Sequence, residues 1–510
     1  MASLGYVVHT LGGWSATHDI VICGFGCAGA SAAIEAHDAD PAASILVIEK
    51  APEEFRGGNC RVSGQSLLIS KDEEALAAYQ HRMSEANPLP AGMIEEWARR
   101  MVGLEPWVQD LAKNAGREFL RGTGFTEREA VLEFPDLGAA DAVAYTATIL
   151  PIPSGVWQAL EINVQNRRIP VWFDCPLIDL VQDPDSLEVL GVIVEREGRR
   201  EAIRARRGVI MATGGFEADA QMQRDYFGLQ TAIPLGTPFN TGDGLRIQQK
   251  AGAEMWHLRN QGQSGGIWPG IQRPGKPTLY LRNFLLPAFS WFDVDATGQR
   301  FYAETDELQL THYKRKVHGR YVDVPIHYAQ PMWMIFDDAT REAGKLVIEV
   351  MTWSAVVDDA GWSEDNSAEV ATGLIVSAGS IGELAAKIGL DPDALAQSHA
   401  DYQAACAAGH DPAWNRNPET LLPLSGERFY AVRILPAIVC TGGGAKRTLD
   451  GHVIGHGGDP IPRLFSAGEL GSMFSDLYQN GSYLTEAMLT GRAAARSALA
   501  LQPWGQGDAG

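Results

Sequence analysis

The first fifty residues alternate between apolar runs and a segment of helical composition. Asp19–Cys23 is a short, mostly apolar run, which is typical of a buried strand. An alanine-rich segment then extends to about His37, and a second apolar run, Ser44–Ile48, ends at Glu49. A strand, a helix and a second buried strand in this order predict an α/β fold with a parallel sheet.

Three later stretches are predicted to end a strand, or to begin a helix, on small residues. Arg207–Gly228 begins as a buried strand and then enters a run of small residues. Asn240–Ala253 begins with a glycine-rich turn before a helix, and Arg463–Gly471 is a strand that ends in Gly468 and Glu469. Backbone N–H groups can approach a ligand at such places, although purely structural turns have the same composition.

Two helices are predicted in the C-terminal part of the chain. Asp391–Pro412 begins with an aspartate and a proline, which commonly start a helix. Phe474–Ala494 begins as a loop through Asn480 and Gly481 and leads into an amphipathic helix that starts near Ser482. Because the N-terminus of a helix attracts electron-rich groups, this helix is a candidate binding element.

Gly24, Gly26 and Gly29 form the most specific motif in the sequence. Gly24 suits a tight turn after the strand, Gly26 allows a pyrophosphate to approach the backbone, and Gly29 allows the helix and strand to pack closely. Glu49 follows at the tip of the second strand, where an acid accepts hydrogen bonds from a ribose. An ordinary glycine-rich turn would not require the strand, the helix and the acid together, so the motif predicts a bound dinucleotide.

The loop after Glu49 favours FAD over a nicotinamide cofactor. It is polar and rich in glycine between Gly57 and Gly64, whereas a nicotinamide-binding fold normally continues into another βα unit. Such a loop can surround the remainder of an extended cofactor, although loops of this composition are also common without a ligand.

Length, charge and cysteine content narrow the class of protein. With 510 residues, the chain is expected to form two or three domains. The net charge of −21 and the pI near 5.0 argue against nucleic acid and anionic membrane surfaces as partners. The six cysteines lack the spacing of a metal site, so we expect no metal and mostly buried, reduced thiols. Without a signal peptide or an apolar run of about 20 residues, the sequence predicts a cytoplasmic protein with no membrane span.

Together these motifs resemble the flavoproteins of the fumarate reductase, 3-ketosteroid dehydrogenase and tricarballylate dehydrogenase group. The resemblance extends from Asp19 to about Ser497. It rests on GFGCAGASAA, RGGN, ATGGFEAD, NTGDGLRI, GQRFYAE, FYAVRILPAIVCTGGGA, LFSAGELG and LTEAMLTGRAA. EEFRGGN and the spacing of Tyr478 and Gly481 are most similar to the tricarballylate dehydrogenase branch.

The resemblance implies a Rossmann-like FAD-binding domain, residues 1–245 and 430–510, with an inserted α+β catalytic cap, residues 246–429. The substrate is expected over the flavin, where the two domains meet. Dissociable, non-covalent FAD is expected, because relatives that bond the flavin use a histidine of the early loop and Arg61–Ser63 contains none. The residues implied for FAD binding are Gly24, Gly26, Ala28, Gly29, Glu49, Lys50, Gly57, Gly58, Asn59, Ser63, Gly64, Ala212, Thr213, Gly214, Asn240, Gly242, Asp243, Gly468, Glu469, Ser482 and Leu484.

The substrate site departs from the dicarboxylate-binding members of this group. At three positions where those members have a histidine or an arginine, this sequence has Cys440, Leu308 and Tyr478. A buried carboxylate needs cationic partners, so these residues argue against fumarate and succinate. In ketosteroid-type members a tyrosine hydroxyl and a backbone N–H polarise a ketone carbonyl, and the resemblance implies that role for Tyr478 and the N–H of Gly481.

In such members a second tyrosine exchanges the α-proton while the β-carbon exchanges a hydride with flavin N5. A proton-transfer group is therefore expected within Glu304–Tyr321, where Tyr313 and His312 are the leading candidates, and Tyr145 is a third. A tyrosine with a pKa near 10 needs a neighbour such as His312 or Lys314 to act as a base. The alternative is that His312 and Tyr313 cover the surface of a mixed helix.

Three functions remain open at this stage. The first is an FAD-dependent oxidoreductase that introduces or reduces a C=C bond beside the carbonyl of an uncharged cyclic ketone. The aromatic stretch Gly265–Val294 would suit such a ring, or could fill the core between strands. The second is the same chemistry on a polycarboxylate, with charge supplied by Arg61, Arg282, Arg300 or Arg433. The third is a non-catalytic flavin-binding redox protein. In every case we expect a separate electron donor or acceptor.

Overall fold

The computed structural model describes residues 8–124, 129–229, 232–260, 268–281, 286, 288–305, 311–312, 314–323, 330–349, 351–357 and 361–504. The chain divides into two compact units. The first contains residues 1–227, 236–264 and 440–510, and the second contains residues 228–235 and 265–439. The borders lie at 264 and 440, whereas the sequence suggested 245 and 430. The assignment of cofactor binding to one unit and catalysis to the other stays a prediction.

The first unit is built on a sheet with parallel central strands. Trp14–Cys23 lies between Ile45–Ile48 and Arg199–Met211 and pairs in parallel with both. This arrangement confirms the α/β prediction. The described strands of the sheet are Trp14–Cys23, Ile45–Ile48, Val171–Trp172, Leu177–Gln182, Val189–Arg196, Arg199–Met211, His452–Ile454 and Pro460–Ser466.

The register of these parallel strands places their carboxyl ends side by side. Cys23 is paired with Ile48 on one side and with Met211 on the other, and Met211 is paired with Ser466. Ligands of open α/β sheets bind at this edge. The segments that follow these strand ends are the ones that the sequence predicted to bind FAD, so the topology gathers them at one edge.

Helices of the first unit cover this sheet. The last helix, Ser482–Ala500, packs on the first helix so closely that a Cβ atom on Gly491 would lie 2.2 Å from the carbonyl oxygen of Ala28. A glycine is therefore required at this crossing. The described helices of the unit are Cys27–Ala39, Gly58–Val62, Glu73–Met83, Met93–Val102, Glu105–Asn114, Ala139–Ala142, Gly155–Asn166, Ala220–Met222, Asp243–Lys250 and Ser482–Ala500, with a π-helical turn at Gln223–Phe227.

Two smaller sheets complete the first unit. Leu67–Ile69 and Phe119–Arg121 pair with opposite edges of Tyr145–Ile149, all antiparallel. Met255–Trp256 pairs with Gly444–Ala445. The first of these sheets lies beside the start of the last helix, because the amide of Leu68 donates to the carbonyl of Gly481 at 3.3 Å.

The second unit is a mixed α and β structure with a sheet centred on Phe429–Ile438. Its described strands are Ile233–Pro234, Trp268–Arg273, Lys276–Tyr280, Trp291–Val294, Met332–Asp337, Ile375–Ala378 and Phe429–Ile438. Its described helices are Asp338–Ala343, Trp353–Val356, Ser367–Ala371, Ile381–Ile388 and Pro392–Ala408. Of the aromatic stretch, Tyr280, Trp291 and Phe292 are fully buried among the strands of this core.

The segment that was considered as a mixed helix forms a hairpin instead. Lys314–Val317 pairs with Arg320–Asp323, and the turn between them has positive φ at both His318 (49°) and Gly319 (82°). Two consecutive positive φ angles match the right-handed twist of a two-residue hairpin, which explains why strands form here.

The predictions about the cysteines and about membrane spans can be compared with the described residues. Five of the six cysteine side chains are buried, and Cys406 is half-buried. None of the described helices has the length and apolar character that a membrane crossing requires.

Candidate active site

The glycine loop, Gly24–Gly29, leaves an opening lined by backbone atoms. A Cβ atom on Gly24 would lie 2.3 Å from the carbonyl oxygen of Ala212, and one on Gly29 would lie 1.9 Å from that of Gly24. Gly26 has more room, since its nearest neighbour would be the Gly57 carbonyl oxygen at 3.8 Å. The outer glycines are thus required by packing, while a Cβ atom at the middle one would make only an ordinary van der Waals contact.

Glu49 is held against this loop by two backbone hydrogen bonds. Its carboxylate oxygens accept from the amides of Phe25 and Ala51, each at 2.8 Å. Burial raises the pKa of Glu49, and these two hydrogen bonds lower it. A carboxylate has about four acceptor positions. The predicted hydrogen bonds from a ribose therefore remain possible at Glu49.

Lys50 joins the strand end to the turn before the helix Asp243–Lys250. Its ammonium group donates to the hydroxyl of Thr241 at 2.6 Å and to the carboxylate of Asp243 at 2.5 Å. The structure therefore brings Lys50 and Asp243 together, as two of the predicted cofactor residues.

Four polar side chains from distant segments converge behind the glycine loop. The amide nitrogens of Asn59 and Asn240 each donate to the same oxygen of Glu217 at 2.7 Å. The same nitrogens lie 3.3 Å and 3.5 Å from carboxylate oxygens of Glu469. Asn59, Asn240 and Glu469 were predicted from the sequence, whereas Glu217 was not. It follows the predicted Ala212, Thr213 and Gly214 in the same motif.

Other predicted cofactor residues also meet across the unit. A Cβ atom on Gly214 would lie 2.6 Å from the side-chain oxygen of Asn240, and one on Gly468 would lie 2.9 Å from the Cβ of Ala28. The thiol of Cys27 donates to the carbonyl of Leu484 at 3.5 Å. The remaining members lie in the same connecting segments: Gly57, Gly58, Ser63, Gly64, Ala212, Thr213, Gly242 and Ser482.

These residues fit FAD. Open backbone at Gly26, a fixed acid at Glu49 and a helix N-terminus at Ser482 suit a pyrophosphate, a ribose and an electron-rich ring, respectively. In the described part of the chain, the buried hydroxyl of Thr213 has no hydrogen-bond partner. A buried polar atom normally has one, and FAD would supply it.

The last helix begins at an aromatic cluster, the tyrosine wall, which consists of Phe474, Tyr478 and Tyr483. The ring centroids of Tyr478 and Tyr483 are 4.6 Å apart, and Phe474 lies 5.6 Å from the first and 4.9 Å from the second. Both tyrosines are buried. Tyr483 was not identified from the sequence, because its hydrophobic position in a helix is equally suited to a core.

Burial and acidic neighbours keep both phenols protonated. Burial, followed by the charges of Glu133, Cys440 and Tyr483, raises the pKa of Tyr478 well above 10, and a hydrogen bond from the Gly481 amide lowers it. Burial and Cys440 raise the pKa of Tyr483 likewise. The predicted pair, Tyr478 and the N–H of Gly481, is therefore in mutual contact. A phenol of this kind acts as a hydrogen-bond donor and not as a base near neutral pH.

Gln479 and Glu133 fix the loop that carries Tyr478. The side-chain oxygen of Gln479 accepts from the Glu133 amide and the Tyr79 hydroxyl, both at 3.0 Å. The Glu133 carboxylate in turn accepts from the Asn480 amide. The tyrosine is thus positioned by hydrogen bonds on both sides of its loop.

The other predicted catalytic residues have their own surroundings or lie outside the described residues. Tyr145 donates to the Glu105 carboxylate within the first unit, and burial together with this hydrogen bond raises its pKa to about 12. His312 is buried in the second unit with a positive φ of 50°. Tyr313 and Leu308 lie outside the described residues. The roles of Tyr145, His312 and Tyr313 stay predictions.

Three of the four arginines proposed for a carboxylate substrate are described, and each either bonds to other protein groups or lies at the surface. Arg300 forms ion pairs with Glu304 and Asp411, each at 2.8 Å. Arg61 donates to backbone carbonyls, and Arg433 is exposed. Arg282 lies outside the described residues.

Residues 19–483 match the family model described as FAD binding domain. The chain belongs to this family of FAD-binding flavoproteins. It is 26% identical to digoxin reductase of Eggerthella lenta, over 96% of this chain and 88% of that protein. It is 25% identical to vinyl phenol reductase of Lactiplantibacillus plantarum, over 94% of this chain and 96% of that protein. It is 26% identical to 3-oxosteroid 1-dehydrogenase of Mycobacterium tuberculosis, over 61% of this chain and 56% of that protein.

Solved structures confirm the fold class. A 3-ketosteroid Δ1-dehydrogenase from Sterolibacterium denitrificans superposes with a TM-score of 0.76 at 19% identity, over 95% of this chain and all of that chain. A flavocytochrome c3 fumarate reductase superposes with a TM-score of 0.68 at 19% identity, over 98% of this chain and 80% of that chain. The protein is an FAD-dependent oxidoreductase that acts on CH–CH groups, so the predictions of FAD and of an enzyme are confirmed.

Proposed function

We propose that the enzyme introduces or reduces a C=C bond beside the carbonyl of an uncharged, cyclic ketone. The observation that carries this proposal is the chemistry around Tyr478. Glu133, Cys440 and Tyr483 act on its hydroxyl, and these three groups are acids that do not supply the positive charge that a buried carboxylate needs.

Tyr478 has the properties of a donor to a carbonyl oxygen. Its pKa is raised well above 10 by burial, so the hydroxyl retains its proton across the ordinary pH range. The N–H of Gly481 donates to this hydroxyl, which leaves the Tyr478 O–H as the donor to the substrate. A donor at the carbonyl oxygen stabilises the negative charge that develops when the α-proton is removed or added.

FAD, when bound, exchanges a hydride with the carbon β to the carbonyl. The chain exchanges the proton at the α-carbon, for which His312 and Tyr313 stay the predicted groups. The electron pair enters or leaves through a separate donor or acceptor, which fixes the direction of the reaction. The rings of Tyr478 and Tyr483 offer an apolar face that suits a cyclic substrate.

The printed names of the relatives include both substrate classes. Digoxin reductase, vinyl phenol reductase and 3-oxosteroid 1-dehydrogenase are named for ring compounds, whereas an NADH:fumarate oxidoreductase of Klebsiella pneumoniae is named for a dicarboxylate. The relatives therefore support the reaction type, and the side chains around Tyr478 support the choice of substrate.

A turnover screen tests the proposal. Purified holoenzyme is offered 3-ketosteroids and cyclohexanones on one side, and tricarballylate and fumarate on the other, with an artificial electron acceptor or donor. We expect turnover with ketones. Activity confined to the polycarboxylates would overturn the proposal.

Tyr478→Phe tests the residue that carries it. Loss of one carbonyl-stabilising donor is expected to lower kcat by about 10²–10³-fold while FAD remains bound. Tyr402→Phe is a matched control, because its buried hydroxyl donates to the carbonyls of Phe289 and Leu422 in the second unit. It is expected to affect stability and to leave kcat within about twofold. Equal kcat values for the two variants would contradict the assignment of Tyr478.

A further inference from the structure

Glu217 is a buried acid for which the reaction above has no use. Its side chain is fully buried. The residue lies three positions after Gly214, in the loop that follows the strand Arg199–Met211. One of its oxygens accepts hydrogen bonds from Asn59 and Asn240, each at 2.7 Å. The donors come from two other segments of the FAD site, so the carboxyl group lies at their junction.

Glu469 shares both of these donors. The amide nitrogen of Asn59 lies 3.3 Å from each of its carboxylate oxygens, and that of Asn240 lies 3.5 Å from one of them. The two carboxyl groups are therefore bridged by neutral amides. Two carboxylates this close in a buried place cannot both remain ionised without compensation.

The charged and titratable groups around the pair come from several elements. The last helix contributes Tyr483 and Glu486, and the first helix contributes the Cys27 thiol. Arg447 is the cation that reaches this region, but it donates to Glu486 at 2.6 Å with both side chains buried. The hydroxyl of Thr441 is a further neutral donor to Glu217. The positive charge of Arg447 is thus matched by a different acid.

The proton affinity of the pair agrees with this geometry. Burial raises the pKa of Glu217 to about 7, although hydrogen bonds from Asn59, Asn240 and Thr441 lower it. Burial and the charge of Glu217 raise the pKa of Glu469 well above its ordinary range. Below neutral pH the pair holds a proton, and it loses that proton as the pH rises.

We propose that Glu217 is a positioning residue of the FAD site that shares a proton with Glu469, so that FAD affinity falls as the pH rises. FAD carries two negative charges on its pyrophosphate, and a fully ionised pair would add to the repulsion. With one proton between them, the pair has an acceptor for a ligand hydroxyl and a reduced negative charge. FAD binding then favours the protonated pair.

The sign of the effect follows from proton linkage. If the FAD-bound protein holds more protons on the pair than the FAD-free protein, affinity decreases with pH by at most about tenfold per unit for one proton. The decrease is expected to begin near pH 7, where Glu217 loses its proton in the FAD-free protein. Below about pH 6 the affinity is expected to be constant.

FAD dissociation from the holoenzyme tests this proposal without any turnover. Released flavin is measured by its fluorescence after serial dilution of the holoenzyme at pH values from 5.5 to 9, within the range where circular dichroism shows a folded chain. We expect the Kd of the wild-type protein to increase at least tenfold between pH 6 and pH 9. A wild-type Kd that stays within twofold over this range overturns the proposal by itself.

Glu217→Gln assigns the effect to this residue. The amide has the shape of the protonated acid, so its Kd is expected to match the wild-type value at pH 6 and to remain flat to pH 9. Glu217→Asp retains a titrating group and is expected to restore a pH-dependent Kd. A Glu217→Gln protein with the wild-type pH dependence would refute the role of Glu217.

Glu469→Gln provides an independent variant. It is expected to bind FAD more weakly at every pH, because an acceptor is lost. The rise of its Kd with pH should begin at a lower pH than in the wild-type protein, because Glu217 stays buried but no longer has an acidic neighbour. If its Kd kept the wild-type pH dependence, the shared proton would be excluded. None of these outcomes depends on which ketone or carboxylate the enzyme converts, so the proposal stands or fails separately from the proposed function.

Discussion

The glycine loop and the tyrosine wall belong to the same compact unit but are built in different ways. In the loop, an added methyl group at Gly24 or Gly29 would lie within 2.3 Å of a backbone oxygen. In the wall, side chains contact side chains, with ring centroids 4.6–5.6 Å apart. The geometry of the loop is therefore set by contacts between main-chain atoms. The geometry of the wall is set by contacts between side chains, and so depends on which residues are present.

This difference separates positions that tolerate no Cβ atom from positions that other side chains could occupy. A backbone that approaches itself closely tolerates no Cβ atom, so the cofactor site depends on glycine. A side-chain wall can be rebuilt with other residues on the same helix start. Relatives named for a steroid, a phenol and a dicarboxylate are consistent with one FAD-binding backbone and several substrate walls.

The largest effect is expected from the glycine loop itself. Gly29→Ala would bring a methyl group to 1.9 Å from the Gly24 carbonyl oxygen, so we expect loss of FAD and of most folded protein. Gly26→Ala is the matched control. Its methyl group has 3.8 Å to the nearest atom, so the fold should persist while FAD binding weakens. Flavin absorbance per protein and thermal melting measure both effects, and a Gly29→Ala protein with normal flavin content would contradict the comparison.

A strong effect on stability is expected at a buried ion pair that involves the last helix. Arg447 donates to the Gly468 carbonyl at 3.1 Å and to Glu486 on the last helix at 2.6 Å, and both charged side chains are buried. Arg447→Met leaves a buried acid without its cation, which typically costs about 3–5 kcal/mol. We expect a clear fall in the thermal midpoint of the holoenzyme.

Arg496→Met serves as the control for that prediction. Arg496 lies on the same helix as Glu486 and pairs with Glu35 of the first helix at 2.5 Å. Its side chain, however, is 59% exposed. Exposed ion pairs contribute about 0–1 kcal/mol, so the midpoint should hardly change. Similar midpoints for the two variants would show that the buried pair does not tie the wall to the cofactor site.

The smallest effect is expected at Tyr483. Its hydroxyl lies 3.5 Å from that of Ser472, which is a weak hydrogen bond at best. Tyr483→Phe keeps the ring contact with Tyr478, so stability should change by less than about 1 kcal/mol and kcat by less than about tenfold. Steady-state kinetics with the ketone that is converted fastest would measure the change in kcat. A loss of kcat as large as that of Tyr478→Phe would require equal roles for the two hydroxyls.

Local signals in the sequence were sufficient for the βαβ unit that carries the predicted cofactor residues. The apolar run that ends at Cys23, the glycines after it and Glu49 all lie within one βαβ unit, and the predicted helix and strand occur there. The partners of a local motif are close in the chain, so their spacing already describes their geometry.

Non-local contacts could not be predicted in this way. Glu217 acquires its role only because Asn59, Asn240 and Glu469 reach it from segments far apart in the chain. Tyr483 belongs to the wall only because its helix starts beside Phe474 and Tyr478. The hairpin after Tyr313 did have a local signal, since His318 and Gly319 suit a two-residue turn, but that turn was not predicted from the sequence.

The contact of the last helix with the first has a consequence for biosynthesis. Ala28 lies against Gly491, and Cys27 bonds to the Leu484 carbonyl, although 457 residues separate the latter pair. The first helix therefore receives its cover from a segment that is synthesised 457 residues later. A ribosome-bound chain that has not yet reached this helix is expected to lack that side of the predicted FAD site.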